Sequence, residues 1–328
     1  MSRRNLFFHR FLMALPLLFL LPLLTFWLMH LVPGNYFDSL RMNPQISQAT
    51  VAQYEKLYHL NEPVLVQYGY WLKQLCKLDF GYSFAYKQPV LDILLSRLAN
   101  TVLLTGVSFA WAWILAVFLG LLAARYPRSF LNGLLEWIAY GALSVPNFFL
   151  CLLLLYLAAA WGGLPLGGMR SVAYESFSGG EKAVDILRHL VIPSFVLGIG
   201  IFAFLFRLMR AQAREIFEKD FILYLRIWHI PGPKILFKHV ARNAINPLVT
   251  LLGMQLPALV SGAALVEIFT GWPGLGSVML QAVRAQDLFL VLGNMVMVSC
   301  LLVVGNLLSD ILLLIVDPRI RSGKGGPS

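Results

Sequence analysis

Charged side chains are scarce in this sequence. Asp, Glu, Lys and Arg make up 13% of the 328 residues, about half the share of an average soluble domain. With 59% hydrophobic residues and a mean hydropathy of +0.72, the chain lacks the polar groups to cover a water-facing surface. A bilayer removes that requirement, because lipid solvates apolar side chains. Cysteine is nearly missing. Cys76, Cys151 and Cys300 are far apart, and two fall in apolar runs, which argues against a disulfide framework and against a metal cluster. No G-x-x-x-x-G-K-[ST] string occurs, so a P-loop for ATP phosphates is excluded, and neither does H-E-x-x-H. His9, His30, His59, His189, His229 and His239 are dispersed. Four of them border predicted membrane segments, where interfacial placement explains them better than metal ligation. No metal and no cofactor is expected. The glycine pairs at 162–163, 167–168 and 179–180 read as turns.

What is present is a series of long apolar runs. Spans are predicted at 11–32, 99–124, 131–160, 189–211, 245–268 and 288–316, each about 20 residues or more. The first follows Arg3, Arg4 and Arg10 and is longer than the roughly 7–15 apolar residues of a signal peptide. Phe26, Trp27, Leu28 and Met29 occupy the end, where a cleavage site needs small residues. It reads as an uncleaved first span, kinked at Pro16 and Pro22.

The net charge of +10 is distributed unevenly. Lys and Arg gather at the N-terminus, at Arg125 and Arg128, between Arg207 and Arg242, and at Arg319, Arg321 and Lys324. The intervening connections are nearly balanced in charge. The positive-inside rule therefore places both termini in the cytoplasm. In this setting the excess of positive charge points to the inner membrane surface and not to nucleic acid.

Two segments lie outside the bilayer. Residues 33–98 carry Tyr, Trp and Gln among Leu and Val, with helical patterns at 49–58 and 64–77, and read as an outer helical cap. The basic segment 211–246 is interrupted by Pro231-Gly232-Pro233 and reads as two short helices with a turn between them. The expected fold class is all-α: six transmembrane helices, an outside cap after the first, and a cytoplasmic two-helix segment. Ionisable residues within the spans are few. Glu136, Glu267 and Asp310 sit near span ends, within reach of interface water. That leaves no set of mid-depth carboxylates for a proton relay. Asn147, Gln255, Asn294 and Asn306 are candidates for a polar pathway, or equally for helix–helix hydrogen bonds.

Several strings in order resemble one family. Leu31-Val32-Pro33-Gly34, Leu60-Asn61-Glu62-Pro63, Asp79-Phe80-Gly81-Tyr82-Ser83, Val145-Pro146-Asn147-Phe148-Phe149, His189-Leu190-Val191-Ile192-Pro193, Arg207-Leu208-Met209-Arg210, His239-Val240-Ala241-Arg242-Asn243-Ala244, Glu267-Ile268-Phe269, Pro273-Gly274-Leu275-Gly276 and Asp317-Pro318-Arg319-Ile320-Arg321 are similar to motifs of the B-type permease subunits of bacterial ABC importers for dipeptides and oligopeptides. The resemblance covers nearly the whole chain and implies one permease domain over 1–328, with a cap at 33–98, a core at 99–316 and a coupling segment at 211–246. It implies a multi-pass protein of the bacterial inner membrane that is not itself an enzyme. Its partners would be a second, C-type permease, two ABC ATPases, an extracytoplasmic solute-binding protein and a peptide substrate. Relatives of this family also serve nickel chelates and other small solutes. An ATPase-independent transporter or channel is the competing class.

The resemblance implies coupling to the ATPases through Glu215, Asp220, Arg226, His229, Gly232, Lys238, His239 and Asn243. Here the sequence departs from the family. Leu225 and Ile227 stand where alanine is usual, and His229 where glycine makes the turn. A β-carbon at positive φ is costly, so the turn is expected to shift toward Gly232.

Overall fold

The computed structural model describes residues 3–31 and 62–316, with Arg41, Ala49, Gln53, Lys56 and His59 between them. The 49–58 helical pattern and the 317–321 string lie largely or wholly outside the described residues, as do the side chains of Gln255 and Asp310. In lipid no water is available to bond backbone N–H and C=O groups, so an apolar chain resolves into helices. The described chain does so, with helices α1 (Arg3–Leu31), α2 (Val64–Leu75), α3 (Val90–Arg125), α4 (Phe130–Ser144), α5 (Asn147–Trp161), α6 (Gly179–Phe217), α7 (Asp220–Ile227), α8 (Gly232–Lys234), α9 (Ala241–Thr270), α10 (Leu275–Arg284) and α11 (Leu288–Val316). Strands β1 (Tyr82–Ser83) and β2 (Gln88–Pro89) pair antiparallel as a minimal hairpin, Tyr82 opposite Pro89. Among the described residues three helices are long and apolar enough to cross a membrane: α3, α6 and the Leu288–Leu308 part of α11. Up to five candidate spans result if the broken pairs, α4 with α5 and the end of α9 with α10, each count as one.

The predicted third span is one of these broken pairs. Pro146 offers no N–H and disfavours helical backbone at the residue before it. Val145 accordingly has ψ 126, and Pro146 starts the next helix. α4 and α5 meet at 112°, so the run 131–160, long enough to tilt or to include a turn, is broken by a sharp bend. The predicted second span begins nine residues early, at Val90, because the hairpin feeds directly into α3.

The chain forms two units. The first comprises Met1–Thr101 and Pro273–Val303. Its core is aromatic: Phe26, Tyr68, Trp71, Phe80 and Phe289 pack with Val90, Leu94 and Leu290. Tyr68 sets α2 against α1 by donating its hydroxyl to the Phe19 carbonyl at 2.7 Å. The entry to α10 is fixed from two sides. Asn100 donates to the Pro273 carbonyl at 2.8 Å, and Thr101 Oγ1 accepts from the Leu275 N–H at 2.9 Å. Asn294, from α11, donates to the Leu275 carbonyl at 2.9 Å.

The second unit comprises Val102–Trp272 and Val304–Ser328. α6 runs through its centre, with Val196, Phe202, Ala203, Phe206, Met209, Ala213 and Ile216 buried. Gly198 allows the closest approach: a β-carbon there would sit 2.5 Å from the Trp111 ring. Trp111 then donates its indole N–H to the Ser194 carbonyl at 3.3 Å. The 162–178 loop is tied down near its middle, at Gly168 and Ser171. The Gly168 N–H donates to the Thr270 carbonyl at 2.8 Å, and Ser171 donates its N–H (2.8 Å) and its hydroxyl to the Asp185 carboxylate.

Candidate functional site

The basic segment between α6 and α9 is the candidate site. α7 has two faces. Ile222 points inward and is buried, and Leu225 is half-buried against the same core. On the opposite side Leu223, Tyr224, Ile227 and Trp228 are exposed. The charged residues are exposed as well: Glu215, Asp220, Arg226, His229 and Lys238 all face solvent, and Asn243 does too, while His239 is half-buried. Glu215 pairs with Lys219 at 3.4 Å, an exposed i,i+4 contact worth only a few tenths of a kcal/mol (about 0.3–0.5). Asn243 donates its side-chain amide to the His239 carbonyl at 2.7 Å.

The end of α7 overturns the expected shift of the turn. His229 has φ 53. Its N–H donates to the Arg226 carbonyl at 2.9 Å, and the Ile230 N–H closes back on Leu225 at 3.1 Å. This is a Schellman closure with histidine at the left-handed position. The accompanying apolar contact is present too, since Leu225 and Ile230 both pack on the same core. Gly232 has no positive φ, and a β-carbon there would meet nothing within 4 Å. The reason is local. Ile230 precedes Pro231 and is therefore disfavoured in the helical region, so α7 must close one residue earlier, on His229. The same closure ends α9, with Gly271 at φ +62 and the Trp272 N–H on the Glu267 carbonyl at 2.9 Å. Leu78 (φ 62) and Gln286 (φ 53) are two further positions where the chain accepts the strain.

The second short helix of the segment also differs from expectation. Pro231 and Pro233 occupy the start of α8, the positions where proline is tolerated. α8 passes without a break through a π-turn at Ile235–Val240 into α9. The segment is thus one isolated helix followed by an extension of α9.

The pathway candidates are not gathered at one place within a unit. Asn294 is buried and used as a hydrogen-bond donor in the first unit. Asn147 and Asn306 are exposed in the second. The carboxylates also depart from expectation. Glu136 pairs with Arg210 across α4 and α6, and Glu267 is fully buried, with 0% of its surface exposed. Water therefore does not reach Glu267, whereas Glu136 is partly exposed as well as paired. Arg207 lies over the Tyr140 ring, 4.6 Å from its centroid, beside the Glu136–Arg210 pair.

The residue that sequence reasoning missed is Asp287. It caps α11, with Oδ1 accepting from the Leu290 N–H at 3.3 Å. Oδ2 accepts from the Ser83 hydroxyl at 2.7 Å and the Ala85 N–H at 3.0 Å. One carboxylate thus clamps the hairpin to the start of α11. Burial pushes its pKa up, against the pull of Ser83, Ala85, Leu290 and Phe84. The sequence signal was an Asp directly before an apolar run, the signature of a helix N-cap.

Comparison with known proteins places the chain. Residues 116–322 match the binding-protein-dependent transport system inner membrane component family, and residues 4–105 match the N-terminal region of the corresponding membrane component. The chain is 35% identical over 315 residues to the oligopeptide transport system permease protein AppB of Bacillus subtilis, covering 95% of this chain and 98% of that protein. It is 34% identical over 316 residues to the oligopeptide transport system permease protein OppB of Haemophilus influenzae, covering 96% and 98%. It is 29% identical over 327 residues to the dipeptide transport system permease protein DppB of Alkalihalophilus pseudofirmus, covering 95% and 98%. With helices apolar enough to span a bilayer and a family match over most of its length, the chain belongs to the binding-protein-dependent transport system inner membrane component family.

Proposed function

We propose that this chain forms one half of the pore of an ATP-driven importer that passes peptides of the dipeptide and oligopeptide class into the cytoplasm. It does so as a single permease domain with six spans, a cap at 33–98, a core at 99–316 and a coupling segment at 211–246. Both termini face the cytoplasm of a bacterial inner membrane. A C-type permease completes the pore, two ABC ATPases bind beneath it, and an extracytoplasmic solute-binding protein delivers peptide. Hydrolysis belongs to the ATPases. The observation that carries this reading is α7, a short helix held by Ile222 and presenting large side chains outward, in the segment that holds Glu215, Asp220, Arg226, His229, Gly232, Lys238, His239 and Asn243. A helix fixed on one face and free on the other suits a lever that follows two states of a partner, as coupling requires. Asn147, Gln255, Asn294 and Asn306 remain candidates for the polar lining of the path, Asn294 by way of the α10 entry that it holds.

The test is reconstitution of the chain with its paired permease, both ATPases and the binding protein in liposomes, followed by uptake of a labelled peptide. Uptake that requires ATP and stops with vanadate is the expected result. Uptake at the same rate from liposomes lacking the ATPases would replace this reading with that of a secondary transporter.

A further inference from the structure

We infer that the turn between α3 and α4, together with the exposed face of α4, binds one anionic phospholipid, its phosphate between Arg125 and Arg128 and an acyl chain along Phe130, Leu134 and Trp137. In the orientation proposed above this is a lipid of the inner leaflet. The site itself needs neither ATPase nor peptide.

Its first part is charge. Between Asp92 and Glu136 the sequence contains no Asp or Glu. Arg125 and Arg128 are exposed, and among the described residues neither makes an ion pair. Glu136, the first carboxylate after them, is taken by Arg210 of α6. Arg125 stands over the Tyr126 ring, 5.3 Å from its centroid. The turn that carries the two arginines is braced. Ser129 donates its N–H and its hydroxyl to the Tyr126 carbonyl at 3.1 and 2.9 Å. Buried Asn132 donates its side-chain amide to the Pro127 carbonyl at 2.9 Å. Two guanidinium groups are thus carried on one fixed turn, and the planar fork of each suits a phosphate.

The second part is apolar. α4 buries Asn132, Leu135 and Ala139 and exposes Phe130, Leu131, Leu134, Trp137 and Ile138. The spacing i, i+1, i+4, i+7 and i+8 makes one stripe, and it begins just after Arg128. Phe130 is 86% exposed and Trp137 81%. Cations at the foot of an apolar stripe, with aromatic rings beside them, follow the head-to-tail order of a phospholipid molecule. A protein partner seated on the stripe alone leaves both arginines without a counter-charge, whereas an anionic lipid satisfies both ends at once. The basic segment 211–246 is a poorer place for such a lipid, because Glu215, Glu218 and Asp220 are exposed among its cations.

The experiment uses the chain purified with its partner subunits in mild detergent. Phosphatidylglycerol and phosphatidylcholine are titrated in, and bound lipid is counted by native mass spectrometry. Saturable binding of phosphatidylglycerol in preference to phosphatidylcholine is expected. The Arg125→Gln/Arg128→Gln variant should bind phosphatidylglycerol about 30-fold more weakly, since each cation near an anionic headgroup contributes about fivefold. Arg128→Gln alone, with a loss of about fivefold, serves if the double variant does not accumulate. Phe130→Ser/Trp137→Ser should lower binding by about tenfold, and Arg170→Gln on the 162–178 loop should leave it unchanged. Equal binding by wild type and the arginine variants would overturn the site. Displacement of the lipid by inorganic phosphate, with full binding retained in the Phe130/Trp137 variant, would reduce it to a site for a free anion and overturn the lipid. A photo-reactive amino acid at Trp137, in liposomes containing phosphatidylglycerol, should capture lipid. Capture of the second permease in its place would overturn lipid as the occupant of the stripe.

Discussion

At the scale of single residues, strain and burial mark where this chain departs from simple expectation. His229 adopts a left-handed conformation that costs a non-glycine L-residue roughly 1–2 kcal/mol. Histidine is among the residues that tolerate it best. His229→Gly should therefore raise stability by about 0.5 kcal/mol once the greater freedom of glycine in the unfolded chain is subtracted. His229→Val should lower it by about 1–2 kcal/mol, because a β-branched side chain fits this region worst. Thermal unfolding of the two variants in detergent checks the order, and a valine variant as stable as the glycine one would contradict the turn geometry. Gly232→Ala, by contrast, should change stability by no more than about 0.5 kcal/mol. The position of the turn was legible in the sequence, but by counting back from Pro231 and not by looking for glycine. Asp287 gives a second residue-scale prediction. Its folded pKa is raised by burial. Its contribution is therefore fully present below the unfolded carboxylate pKa of about 3.9 and is lost as pH rises through the folded value. The melting temperature of wild type relative to Asp287→Asn should fall as pH is raised from about 4 toward neutrality. A flat difference across that range would show that the hydrogen bonds from Ser83, Ala85 and Leu290 fully offset the burial.

At the scale of elements, hydropathy located the helices but not their breaks or their tertiary partners. The apolar runs at 99–124, 189–211 and 288–316 lie within the helices α3, α6 and α11, because a long apolar run in lipid has helix as its main solution. The run at 131–160 is just as apolar, yet it breaks and bends by 112° at Val145-Pro146. A window average does not register one missing N–H. The charges within this region were legible as residues but not as a pair. Glu136 and Arg210 are 74 positions apart, and only the packing of α4 on α6 brings them together. Removing one partner leaves the other partly buried without its counter-charge. Glu136→Gln and Arg210→Gln should each cost about 1–3 kcal/mol, and the double variant should cost less than the sum by about 1 kcal/mol or more. A double-mutant cycle on thermal stability reads this coupling directly. Additive losses would mean that the contact does not contribute to holding α4 on α6. Such a result would leave the Tyr140 ring under Arg207 and the apolar contacts of Leu135 and Ala139 as what joins the two helices.

At the scale of the whole molecule, topology is carried by where the cations fall. Short connections count most in this rule, and carboxylates contribute little to it. The short turn after α3 is bordered by Arg125 and holds Arg128, and the segment from the end of α6 to the start of α9 adds exposed Lys219, Arg226, Lys234, Lys238 and Arg242. The 162–178 loop holds Arg170 alone among Lys and Arg, and it lies between these two basic connections in sequence. If α4 and α5 together make one broken crossing and α6 the next, the two basic connections fall on one side and the 162–178 loop on the other, as the charge distribution requires. The six proposed spans would return the C-terminus to the basic side, where Arg319, Arg321 and Lys324 would add to the bias. A fluorescent protein fused after Ser328 should therefore be bright and a phosphatase fused there inactive, while a phosphatase inserted after Gly163 should be active. The Arg319→Glu/Arg321→Glu variant should lower the amount of protein in the membrane without altering ATP hydrolysis per assembled transporter, if these arginines serve as a headgroup anchor. Active phosphatase at Ser328 would reverse the orientation. It would also remove the α7 surface from the side on which ATP is available, so the orientation and the coupling role stand or fall by the same measurement.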